Sequence, residues 1–215
     1  MKSILIIGMG RFGRHMAAKL QELRHEVLAV DISEERINDV LHLVTSAQIG
    51  DATREAFIAS LGVRDFDVCV VAIGDNFQSS LETTALLKDY GAKNVLARAN
   101  REVHAKFLLR NGADEVIYPE KQMAVRAAVR CGMDHVFDYI GLNDNYSIYE
   151  TSVPEEWKGK SIAQLQVRQC YHINILAIKM GEELDPLPRA DYQFSGQETL
   201  LLLGTNKDIS RFLAG

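Results

Sequence analysis

Apolar residues along this chain fall into short blocks punctuated by glycine and polar residues. Ser3-Ile4-Leu5-Ile6-Ile7 has strand length and no polar alternation, the pattern of a strand covered on both faces. Phe12, Met16, Leu20 and Leu23 then recur at helical spacing, and Glu26-Val27-Leu28-Ala29-Val30 repeats the strand pattern, ending on Asp31. Ser33 suits the N-cap of a helix whose apolar face is Ile37, Val40 and Leu41. A third strand is expected over 44–49, and a helix over about 53–61 stopping at Gly62. Strands over 67–73, 94–97 and 115–118 then alternate with helices over about 77–90 and 102–110, which stop at Gly91 and Gly112. Pro119 suits the first turn of a further helix, with helical pattern running to about Asp138. Its small residues, Ala124, Ala127, Ala128 and Cys131, fit either a close helix–helix contact or an ordinary cover helix.

Six strand–helix alternations with short links make an α/β, Rossmann-like, doubly wound parallel sheet. The pattern changes past Gly141. Strands are expected over 147–153, 173–179 and 199–203, with short helices near 162–165 and 207–213. Pro154, Pro186 and Pro188 punctuate this part. The chain therefore divides into a first domain, 1–138, and a smaller α+β C-terminal lobe, 139–215, with the boundary within 138–145.

Between the first strand and first helix lies Gly8-Met9-Gly10-Arg11-Phe12-Gly13, which fits G-x-G-x-x-G. Gly8 permits a tight turn, Gly10 lets backbone approach a pyrophosphate, and Gly13 lets helix and strand pack closely. The phosphates would meet the unpaired N–H groups at the helix start. Asp31, ending the next strand, falls where a carboxylate accepts hydrogen bonds from ribose hydroxyls. Ligands of such sheets bind beyond the carboxyl ends of the strands. Those ends carry Gly8 to Gly13, Asp31, Asp51-Ala52, Gly74-Asp75-Asn76, Arg98 and Glu120. The reading is a bound adenosine-type nucleotide. Arg11 is either a guanidinium that forks onto phosphate oxygens or a solvated side chain. Glu120 is either a ligand for a hard cation accompanying the phosphates or an acid suited to a helix start.

Composition narrows the alternatives. Of 215 residues, 47% are hydrophobic and 25% charged, ordinary for a globular protein. A net charge of -5 and a pI near 5.7 argue against a nucleic-acid surface, as do ten acidic against seven basic residues from Tyr139 onward. Three cysteines without paired spacing fit a reducing cytoplasm. Cys69, within an apolar run, reads as a small buried hydrophobe. No removable leader is expected, and no run approaches the roughly 20 apolar residues of a membrane span, so a membrane connection goes through a partner. Cys131 and His135 stand four apart, which alone is a weak metal pair. His15, His25, His42 and His104 are expected in solvent.

A dehydrogenase needs an acid–base group and substrate anchors brought to the nicotinamide, and none is visible, so the chain reads as a non-enzyme. The rival is a small NAD(H)-binding oxidoreductase or NAD-sensing regulator, because Asp31 without an adjacent arginine suits NAD better than NADP. A redox-sensing DNA-binding regulator would need a basic helix-turn-helix, and none is present.

The chain resembles the RCK proteins, the cytosolic regulatory subunits of Ktr and Trk potassium-uptake systems, and is most similar to the KtrA type. The match rests on Ile7-Gly-Met-Gly-Arg-Phe-Gly13, Glu26-Val-Leu-Ala-Val-Asp31, Val70-Val-Ala-Ile-Gly74, Gly112-Ala-Asp114 and Pro119-Glu-Lys121. In the second lobe it rests on Tyr146-Ser-Ile-Tyr-Glu150, Asn174-Ile-Leu-Ala-Ile-Lys179 and Asp208-Ile-Ser-Arg-Phe212. The resemblance implies ATP or ADP in the first domain, lined by Gly8, Gly10, Gly13, Asp31, Ala52, Gly74 and Arg98, with Phe12, Ile32, Asp51, Ala72 and Ile73 beside them. It places Arg11 at the terminal phosphates near a dimer interface, and Glu120 where Mg²⁺ or Ca²⁺ is held. It implies homodimers within an octameric ring, peripheral to the inner face of the membrane beneath a potassium-translocating partner. A second ligand, cyclic di-AMP, is implied at Val167, Arg168, Asn174 and Ile175. His172 departs from the family there, adding bulk where relatives carry glycine.

Overall fold

In the computed structural model, which describes residues 1–214, the chain forms two compact units, Met1–Lys121 and Gln122–Gly215. The first contains β1 (Ser3–Ile7), α1 (Arg11–Glu22), β2 (Glu26–Asp31), α2 (Glu34–Asn38), β3 (Ser46–Ile49) and α3 (Glu55–Ser60). It continues with β4 (Val68–Val71), α4 (Phe77–Asp89), β5 (Val95–Arg98), α5 (Glu102–Arg110), β6 (Glu115–Ile117) and the start of α6 (Pro119–Gly132). All six strands are parallel, in the order β3-β2-β1-β4-β5-β6. β1 shows why its run has no polar alternation. Leu5 and Ile7 enter the core on one face, Ile4 and Ile6 that on the other. Gly62, Gly91 and Gly112 all take left-handed conformations where they terminate helices or turns.

The second unit holds β7 (Val136–Gly141), β8 (Tyr146–Ser152), α7 (Ile162–Leu165), α8 (Val167–Tyr171), β9 (Asn174–Met180), β10 (Glu183–Asp185), β11 (Thr199–Thr205) and α9 (Asn206–Leu213). Its five strands form an antiparallel sheet ordered β10-β9-β11-β8-β7. Trp157, Phe194, Ile173, Leu200 and Leu202 are sealed in its core. Ser161 and Gln164 close a capping box at α7. The buried Glu198 pins the 192–198 loop by accepting from the N–H groups of Ser195 and Gly196, both at 2.7 Å, and from Tyr192 Oη at 3.0 Å.

The helix expected to run to Asp138 stops at Gly132. His135 turns the chain with a φ of +66°, and Val136–Gly141 joins the second sheet as an edge strand. Val129, Met133, Val136 and Ile140 lie near helical spacing, so periodicity alone carried the helix too far. The division accordingly falls between Lys121 and Gln122, upstream of the expected 138–145. Cys131 and His135 are therefore not on one helix, and no group of three metal-binding side chains gathers among the described residues. α6 has no buried residue: Ala124, Ala127, Ala128 and Cys131 are all exposed, unlike the small face of a cover helix. Cys69 is sealed, and burial pushes its thiol up to about 12.

Candidate nucleotide-binding site

The strand order reverses direction between β1 and β4, and a cleft of about 740 Å³ opens at the carboxyl ends of those strands. It brings together Gly8, Gly10, Arg11 and Phe12 from the first turn, Asp31 and Ile32 from the end of β2, and Asp51 and Ala52 after β3. Ala72, Ile73 and Gly74 enter after β4, Arg98 at the end of β5, and Glu120 from the first turn of α6. Gly13 is absent from this lining. A Cβ there would lie 2.0 Å from Gly8 O, so Gly13 serves the contact between α1 and the loop.

The two flanking glycines differ. Gly8 has a φ of +103°, donates to Val30 O at 2.7 Å, and a Cβ on it would press on the Ala72–Ile73 backbone at 3.1 Å. Gly10 has an ordinary extended backbone and open space where a Cβ would stand. Nothing within the protein requires glycine at that position. As N-cap without a capping side chain, it leaves the first-turn N–H groups of α1 free for an anion.

Asp31 is 5% exposed and organises both loops it touches. One carboxylate oxygen accepts from Met9 N at 2.7 Å, the other from Ser33 N at 2.9 Å. Each oxygen retains lone-pair capacity toward the cleft. Arg36, on α2, approaches to 3.6 Å and also lines the cleft. This removes the premise that Asp31 lacks a neighbouring arginine, and with it the preference for NAD over NADP. Asp51 caps its own turn: hydrogen bonds from the Thr53 hydroxyl and N–H hold its carboxyl below the usual range.

On the far wall Arg98 lies against Gly74, where a Cβ would come within 2.4 Å of Nη1, and its guanidinium stands 5.8 Å from the Phe12 ring centre. It donates to Glu120 while its Nε is buried without a partner. Burial pushes the Glu120 carboxyl up, but its backbone N–H and Arg98 outweigh this and hold it below the usual carboxylate range. Glu120 is thus engaged by a guanidinium, and no group of three metal-binding side chains gathers around it among the described residues. The lining does suit an adenine nucleotide: a glycine with open space at a helix start, a carboxylate with spare lone pairs, and two arginines, Arg11 and Arg98.

Sequence reasoning missed several lining residues. His15 follows Arg11 by one helical turn on the same face, a spacing that could have flagged it. Arg36 sits in the first turn after the Ser33 cap, five residues past Asp31. Ser79 and Thr83, from α4, carried no sequence signal. His104 is a correction of another kind. Expected in solvent, it is fully buried, and desolvation, then the Arg101 charge, hold its imidazole below its usual range.

In the second unit, Val167, Arg168 and Ile175 line a shallower pocket of about 450 Å³ with Ile162, Gln166 and Pro188. Asn174 lies outside it, paired with Leu203 in the sheet. His172 takes the left-handed conformation that ends α8, with a φ of +57°, a position favouring glycine.

The family profile of the TrkA-N domain matches residues 4–119, and that of the TrkA-C domain matches 148–214. Ktr system potassium uptake protein A of Bacillus subtilis is 41% identical over 211 residues, covering 98% of this chain and 95% of that protein. The chain belongs to the RCK family of Ktr-type potassium-uptake proteins. This RCK chain superposes along 99% of its length on the GsuK RCK domain, covering 47% of that chain, with TM-score 0.69 and 19% identity. The Kef C-terminal domain of Shewanella denitrificans, solved in an AMP-bound form, matches 60% of this chain and 79% of its own, with TM-score 0.52 and 27% identity. No helix among the described residues is long and apolar enough to cross a membrane.

Proposed function

We propose that this RCK chain is a cytosolic regulatory subunit of a potassium-uptake system, in which an adenine nucleotide, ATP or ADP, sets the conformation of an assembly beneath a membrane-embedded potassium-translocating partner. The observation that carries the reading is the cleft at the β1–β4 reversal, where Gly10, Arg11, Asp31 and Arg98 converge. The AMP-bound Kef domain supports an adenine nucleotide on this fold.

Asp31 accepts from the ribose hydroxyls, the α1 start binds the pyrophosphate, and Arg11 and Arg98 face the phosphates. ATP and ADP share the adenosine contacts and differ in the γ-phosphate. Only groups that meet that phosphate differently in two states of an assembly can shift the balance between them. Arg11, at the first helical position, is the residue assigned to that discrimination. Homodimers within an octameric ring are the assembly proposed, and the largely exposed α6, with Ala124, Ala127 and Ala128 open, supports a covering copy. The second-unit pocket is proposed for cyclic di-AMP, with Arg168 on a phosphate and Val167 and Ile175 against the bases.

The test is potassium uptake in cells carrying a Ktr-type translocating subunit but lacking its cytosolic partner. Wild-type chain should restore nucleotide-dependent uptake. Restoration independent of the nucleotide pool, or hydride transfer by the purified chain, overturns the proposal.

A further inference from the structure

His104 is fully buried, yet only one of its ring nitrogens has a partner. Nδ1 lies 3.2 Å from Asn100 Oδ1, and the Asn100 amide donates to Gly74 O at 2.7 Å. Because the amide nitrogen points to Gly74, Oδ1 must accept, so Nδ1 carries the imidazole proton. Nε2 is then an acceptor sealed from solvent with nothing to accept from. A dry, unpaired ring nitrogen costs about as much as a lost hydrogen bond. A phenyl ring would fill the space without that cost. What the imidazole alone supplies is the Nδ1–H.

That proton ends a relay into the cleft. Gly74 forms part of the wall on which Arg98 lies. With its carbonyl held by Asn100, the trans peptide turns the Asp75 N–H away from Asn100 and fixes the amide plane in the wall. The imidazole also packs on Phe77, the first residue of α4, at a ring-centre distance of 5.0 Å. Phe77 is flanked in turn by Phe107 at 5.9 Å and the Arg101 guanidinium at 5.1 Å. The 74–77 turn is thus held at Gly74 by Asn100 and at Phe77 by His104, which also meets Asn100 through Nδ1.

We propose that His104 is a positioning residue for the nucleotide site, orienting the Gly74 peptide and the Arg98 guanidinium against it through Asn100. This rests on the cleft binding an adenine nucleotide.

The test titrates the full chain with ADP by calorimetry and follows thermal unfolding in the same preparations. In His104→Phe the ring and its contact with Phe77 survive but the donor is lost. In His104→Asn the amide nitrogen takes the place of Nδ1 while ring volume is lost. The phenyl variant is expected to unfold at or above the wild-type temperature yet bind ADP about three- to tenfold more weakly. The asparagine variant is expected to unfold earlier yet bind within about twofold of wild type, a crossing that a merely structural role does not produce. Asn100→Ala reaches the relay without opening the core and should show the same loss if the phenyl variant does not fold. A wild type that binds ADP beside variants that bind equally well, or whose affinities simply follow their melting temperatures, overturns this inference alone. A wild type that ignores ADP overturns the nucleotide reading along with it.

Discussion

Gly10 and Gly13 separate what the fold requires from what a ligand requires. Alanine at Gly13 puts a methyl 2.0 Å from Gly8 O, a backbone atom, where ordinary contacts exceed 3.4 Å. Opening the gap by more than an ångström between α1 and its loop should cost about 3 kcal/mol, the upper end for overpacking. For a unit of this size that lowers the unfolding midpoint by about 10 °C. At Gly10 the new methyl meets open space on an extended backbone. There alanine loses about 0.5–1 kcal/mol as an N-cap and recovers a similar amount by restricting the unfolded chain, so stability should change by under about 0.5 kcal/mol. If a pyrophosphate rests against Gly10, however, that methyl stands in its place, and ADP affinity should fall at least about tenfold, or about 1.4 kcal/mol. Differential scanning fluorimetry and calorimetric titration on the same samples read both effects. A Gly10→Ala protein that binds ADP like wild type refutes the placement of the phosphates. A Gly13→Ala protein with an unchanged midpoint refutes the packing argument.

Three further outcomes are expected. Arg11→Ala should retain ADP binding within about threefold while losing the difference between ATP and ADP, read as ligand-dependent changes in assembly size by light scattering; equal responses in wild type and variant count against that role. Asp31→Ala should abolish nucleotide binding and also destabilise the first unit by about 1–3 kcal/mol, since Met9 N and Ser33 N both lose their acceptor; a variant that binds ADP normally would show that Asp31 only braces loops. Glu198→Ala should destabilise the second unit by about 2–4 kcal/mol. Burial pushes the Glu198 carboxyl up, but the hydrogen bonds it accepts outweigh this and depress it. Its stabilisation is therefore fully present above the unfolded glutamate value near 4.3 and is lost as pH falls through the folded value. Denaturant unfolding from about pH 3 to pH 7 should show that slope in wild type and a flatter one in the variant.

Much of the first unit was legible in sequence because both its signals are local. Unbroken runs such as Ser3–Ile7, too short for a helix and closed by glycine, suit strands buried on two faces, and Gly62, Gly91 and Gly112 stop helices or turns by their own backbone freedom. The cleft followed from topology, since a parallel sheet presents all its carboxyl ends at one rim. What escaped depends on three-dimensional neighbours. Val136–Gly141 looks helical until a left-handed His135 and pairing with β8 make it a strand. The Arg98–Glu120 pair joins residues 22 apart, and no spacing rule foretells that the guanidinium would occupy the carboxylate expected to hold a cation. His104 lies on a helix with charged neighbours in sequence, and its burial, with Phe77 against its ring and Asn100 at Nδ1, comes from residues distant along the chain or on another element.

The most direct test of the central claim is a calorimetric titration of the 215-residue wild-type chain with ADP. Saturable binding of one ADP per chain, abolished by Asp31→Ala and sharply weakened by Gly10→Ala, is the expected result. Absence of binding heat at every ADP concentration, from a chain whose cooperative unfolding proves it folded, would contradict it.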